Sequence, residues 1–219
     1  MKFQMARPVI LTTFLFTLVL PATAAIIVDN GLTNQTGGGD LNLFQQADNF
    51  TLASARSIDL IRFWTLQEST ADYAGSIEWS ILRDSGGNLP GLVVASGSFN
   101  STQTATGNSA SGLSEFIQEG LVSINLGVGT YWLVLHNGPS SSQPATSFYW
   151  AFADDQTGNS LSKELALGNS GTWVSNGAEL AFQLEGAGGG VTVPEPGSVL
   201  LVGAAMAMFM IRSKTRSAL

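Results

Sequence analysis

An all-β, antiparallel sandwich or barrel is the fold class that this 219-residue chain predicts, and three observations carry it. Short runs of β-branched, aromatic and aliphatic residues recur through the middle of the chain, each closed by Gly, Asn, Asp or Ser. No stretch of that middle region repeats apolar residues at the 3.6-residue period of a helix. The chain has no cysteine, so stability must come from packing, and thiol catalysis and cysteine zinc sites are excluded.

The first element stands outside that fold. Lys2 and Arg7 precede the apolar run Val9 to Leu20, and Pro21-Ala-Thr-Ala-Ala25 supplies the small residues of a cleavage site. That pattern predicts a secretory signal peptide over residues 1–25, cut after Ala24 or after Ala25. One domain is expected over residues 26–185, since about 165 residues between the two targeting ends suffice for a single core. Ile26 to Val28 is a short β-branched run, and Asp29-Asn-Gly31 is a turn. Asn34 to Asp40, with three consecutive glycines, reads as a loop too permissive for regular structure.

The strand-like runs then follow in order: Ala47 to Leu52, Ser57 to Leu66, Ser76 to Arg83, Leu92 to Phe99, Leu121 to Leu126, Thr130 to His136, Ser147 to Ala153 and Glu179 to Leu184. Alternation assigns their faces. Ile77, Trp79 and Ile81 point inward, opposite Ser76, Glu78 and Ser80. Phe148, Trp150 and Phe152 point inward and Tyr149 outward. Thr130 to Leu135 is apolar on both faces, as in a central strand covered on each side or one lining a dry groove. Asp84-Ser-Gly-Gly-Asn88 is a hairpin connection, and Asn100 to Ser114, rich in Ser, Thr, Asn and Gly, reads as a long mobile loop.

The C-terminal part has its own logic. Residues 186–192 form a glycine-rich linker, and residues 193–219 combine a stiff Pro194-Glu-Pro196 turn, an uncharged apolar run from Gly197 to Ile211, and cations at Arg212, Lys214 and Arg216. The two prolines fix φ and remove N–H donors, so no regular element runs from the domain into the apolar span. An apolar run ending in cations is how a membrane helix with a cytoplasmic end is written. A helix of about fifteen residues covers roughly 22 Å of a hydrocarbon core about 30 Å thick, which makes a marginal anchor.

These three parts together resemble the PEP-CTERM sorting signal of Gram-negative bacteria, with Pro194, Glu195 and Pro196 as its signature and Arg212, Lys214 and Arg216 as its basic tail, here interrupted by Ser213 and Thr215. The resemblance implies export to the cell envelope or beyond it, transient or stable anchoring in the inner membrane, and processing by an exosortase-type membrane enzyme in bacteria that make exopolysaccharide. A looser likeness spans Ala47-Asp-Asn-Phe-Thr51, Ile58 to Trp64, Ile77 to Leu92 with Asn88-Leu-Pro-Gly91, and Gly129-Thr-Tyr-Trp132. Those phrases resemble jelly-roll β-sandwich domains similar to carbohydrate-binding modules, a group that implies glycan binding and brings no catalytic signature.

Charge narrows the partners. The nine basic residues face sixteen acids. Five of the nine lie in the two targeting ends, which leaves Arg56, Arg62, Arg83 and Lys163 and a formal −12 upstream of the basic tail. Such a surface repels phosphate backbones and anionic head groups, so nucleic acid is excluded as a partner. No Gly-x-Ser-x-Gly, phosphate loop or dinucleotide fingerprint is present, and the one histidine, His136, reads as a turn-facing residue at a strand end. The expectation is therefore a protein that is no enzyme and has no cofactor, with a binding or structural role. The competing reading is a secreted carbohydrate-active enzyme; it would need two facing carboxylates, of which Glu78 is the candidate on pattern. A structural calcium ion would draw on Asp40, Asp48, Asp154 and Asp155. Tyr73, Tyr149 and Trp173 are the candidate ligand-binding residues, because exposed ring faces stack on sugar CH groups, with packing as the competing role of each.

Overall fold

The computed structural model describes residues 24–154, 161–167 and 172–187. The strands, in chain order, begin with β1 (Ala24–Asp29), β2 (Thr33–Asp40), β3 (Phe44–Leu52), β4 (Arg56–Gln67) and β5 (Ile77–Asp84). Then come β6 (Pro90–Phe99), β7 (Thr102–Ala110), β8 (Leu113–Leu126), β9 (Gly129–Asn137) and β10 (Phe148–Ala153). The last are β11 (Lys163–Ala166), β12 (Val174–Ser175), β13 (Glu179–Leu180) and β14 (Phe182–Ala187). No α-helix occurs among the described residues, and no helix there is long and apolar enough to cross a membrane. The signal peptide up to Thr23, the linker beyond Ala187 and the whole sorting segment lie outside the described residues.

The strands form two antiparallel sheets packed as a sandwich. The second sheet runs β12-β11-β3-β9-β5-β6. The first is built around β4, which pairs with β8 along one side; on its other side β14 takes Leu60 to Phe63 and β10 takes Thr65 to Gln67. A twelve-residue strand has room for two neighbours end to end. β1 extends this sheet beyond β14, β7 extends it beyond β8, and β2 and β13 pair with β10.

The core is where the predicted inner faces meet. Ile77 and Ile81 have no solvent exposure and Trp79 has 8%. Across from them sit Ile58, Ile61, Phe63, Phe148, Leu180 and Phe182, with Trp150 edge-on to Phe63 and Phe182 at 5.9 Å. Its indole Nε1 donates to Ala181 O at 2.8 Å, which satisfies the one polar atom of a fully buried ring. β9 is the doubly covered strand that its composition predicts. Tyr131, Leu133 and Leu135 face the other sheet, while Trp132 and Val134 join Ala47 and Leu82 on the outer side under Leu161 and Trp173.

Three expectations are corrected. The segment Asn34 to Asp40 is strand β2, and its glycines are there for close approach: a Cβ on Gly38 would stand 2.5 Å from Trp150 O, and one on Gly39 2.6 Å from Gln46. The segment Asn100 to Ser114 is largely strand β7, turned at Ser111 and Gly112 with φ of 53° and 82° into a β8 that begins at Leu113. An edge strand with Ala110 as its one buried residue shows no alternation of apolar and polar side chains. His136 is buried at 1% exposure within β9, its Nδ1 2.9 Å from Gly138 O. β14 also continues through Gly186 and Ala187, and Ala24 and Ala25 open β1.

Candidate functional site

Tyr149 sits on the outer face of the first sheet, between Asp40 of β2 and Leu66 of β4. Its neighbours Phe148 and Trp150 take the inner face, so period-two alternation leaves its ring outward. The ring is half-buried against an outer cluster that includes Trp64, Leu66 and Ala151. Beside it opens a groove of about 420 Å³, lined by Gly37, Gly38, Leu66, Ser111, Leu113, Ser147 and Tyr149. Its wall on the β2 side is bare backbone, since a Cβ on Gly38 would lie 2.9 Å from Tyr149 Cβ. The far wall is the β7–β8 turn. The lining thus offers one aromatic ring, two aliphatic side chains, two hydroxyls and backbone, and no charge.

The other two aromatic candidates lie elsewhere. Tyr73 packs on the core with its ring 6.1 Å from Phe148, and its hydroxyl oxygen accepts the Ser101 N–H at 2.6 Å. Burial pushes that hydroxyl's pKa up. Trp173 packs half-buried over the Trp132 cluster of the second sheet. Tyr149 is the one of the three that lines a described groove.

The candidate calcium ligands that are described do not gather either. Asp40 Oδ1 accepts the N–H groups of Asn42 and Leu43 at 2.7 and 3.1 Å, capping its own turn. Asp48 is fully buried in β3, Asp154 follows β10 on the surface, and Asp155 lies outside the described residues. Among the described residues no three acidic, histidine or cysteine side chains gather where a metal could be held. Glu78 borders a second groove of about 360 Å³ with Ser76, Ser96, Gly97, Ser98 and Pro139, and is its one lining carboxylate. Glu78 Oε2 accepts the Ser140 N–H, which pins the loop after β9.

Three buried acids belong to no motif. Glu115 accepts hydrogen bonds from Thr33 Oγ1 at 2.5 Å, Thr106 Oγ1 at 2.8 Å and Asn108 Nδ2 at 3.1 Å, tying the start of β2 and a bulge of β7 to β8. Asp48 and Glu179 face each other between the sheets, and burial first, then the Glu179 carboxylate, push Asp48 well above the usual carboxylate range. Asp48 was legible as buried: counting back by twos from Leu52 and Phe50 puts it on the inner face. Its partner, 131 positions away by number, was not. No family model matches the chain, and no curated protein matches it either.

Proposed function

We propose that this chain is a jelly-roll-like domain exported to the cell envelope by a C-terminal sorting segment, where it binds extracellular polysaccharide without transforming it. The observation that carries the binding role is the Tyr149 groove. An aromatic face beside hydroxyls and bare backbone is what a sugar ring needs, with its CH groups on the ring and its hydroxyls on Ser147, Ser111 and the strand. The uncharged lining in an acidic domain favours a neutral glycan over a uronate-rich one. The Pro194-Glu195-Pro196 turn, the apolar span and Arg212, Lys214 and Arg216 support the destination, with an exosortase-type enzyme as processing partner and the inner membrane as the anchor before processing.

Two measurements test the two halves. Glycan binding by the wild-type chain, with and without calcium, should favour neutral polysaccharides and fall at least tenfold in Tyr149→Ala, a loss of about 1.4 kcal/mol. Equal binding by both proteins would remove the groove from the proposal, and turnover abolished by Glu78→Gln would replace it with catalysis. In a host with the sorting enzyme, replacing Pro194, Glu195 and Pro196 by alanine should leave an unprocessed precursor in the inner membrane. Identical maturation of the two would reduce the segment to a plain anchor.

A further inference from the structure

We infer that Asp48 and Glu179 hold a single proton between them, and that this proton fastens β13 and the segment leading into β11 to the middle of β3. Distant parts of the chain converge on the pair. Asp48 Oδ2 accepts the Leu180 N–H at 2.6 Å and Asn30 Nδ2 at 3.0 Å, while its Oδ1 accepts the Asn49 N–H at 2.8 Å. Glu179 Oε1 accepts the Leu161 N–H at 3.0 Å, and its Oε2 lies 3.4 Å from the same Asn30 amide. The acids are 0% and 6% exposed. Two carboxylates set side by side away from water repel each other and forfeit hydration, and one bound proton relieves both penalties.

No cation takes the proton's place among the described residues. The ion pairs there belong to Arg62, which is committed to Glu119 and Glu185. Lys163 of β11 pairs with Ala47, so it lies on the opposite face of the sheet from Asp48. β9 presents Leu133 to Asp48, and His136 falls on that strand's far face. The other acids around the pair are engaged or outside: Asp29 accepts the Gly31 N–H, Asp40 caps its turn, Glu164 takes the Gln46 amide, and Asp154 is on the surface. The sign of the pH dependence follows from burial. An acid held protonated by the fold contributes stability in full below its unfolded pKa and loses it as pH rises through the folded value. The fastening therefore tightens in acid and loosens in alkali.

Hydrogen exchange of the full-length chain, corrected for the intrinsic rate, should show the Leu161 and Leu180 amides losing protection as pH rises above the ordinary carboxylate range, by about tenfold per pH unit where one proton is released. Glu179→Gln should move that dependence to lower pH: the facing negative charge is gone and its Nε2 can donate to Asp48, while burial of Asp48 remains and its Oε1 still accepts the Leu161 N–H. Asp48→Asn should weaken both amides at every pH, because an amide nitrogen then faces one of the two main-chain N–H groups. Infrared spectra of the wild type provide a readout that needs no variant: a protonated-carboxyl band at neutral pH, fading with alkali in step with the protection. A flat wild-type profile, a Glu179→Gln profile that coincides with the wild type, or no such band at neutral pH would overturn the inference.

Discussion

Trp79 lies across β6, where a Cβ on Gly97 would stand 2.9 Å from its Cζ2. The indole is thus packed between the strand beside it and the opposite sheet, and its removal leaves a hole that neither can fill. Trp79→Ala should cost about 3–5 kcal/mol in urea unfolding. A loss below about 1 kcal/mol would mean that the ring carries little of the core. Tyr73 and Trp173 show the limit of reading aromatics from turn-rich surroundings: both sit in loops, yet the sandwich uses each ring as a lid on apolar side chains.

At the level of the strand, β2 offers a sharper test, because adjacent glycines differ in what surrounds them. Gly37→Ala brings a methyl to 3.5 Å from the Phe152 ring, an ordinary contact, and should leave stability within about 0.5 kcal/mol of the wild type. Gly38→Ala drives a methyl against a main-chain carbonyl that cannot turn aside, and should cost about 1–3 kcal/mol by thermal or urea unfolding. Equal effects would show that β2 does not lie against β10 as described. The same strand explains what was legible beforehand. β4, β5, β9 and β10 bury one or both faces, so their side chains alternate or run apolar, and their bounds could be read to within a residue or two. β2 and β7 contribute little to the core; glycines and hydroxyls mark them as loops until their pairing partners are known. The outward set of Tyr149 followed from alternation alone. Its groove did not, because the bare wall is supplied by residues more than a hundred positions away.

For the molecule as a whole, the decisive pairing is that of the first and last described strands. β14 lies between β1 and β4, with Ala187 opposite Ala24 and Leu184 shared between Val28 and Ile61. Truncation before Phe182 should therefore abolish cooperative unfolding, since it removes Phe182 and Leu184 from the core and leaves two strand edges unpaired. A truncated chain that still melts sharply would show that β14 is dispensable. The arrangement also sets an order in time. A chain that emerges from its N-terminus first cannot close the larger sheet until β14 has arrived, and pairings this distant in sequence form slowly. The facing edges of β1 and β4 thus stay unpaired until synthesis has delivered residue 187, and β14 then closes both at once.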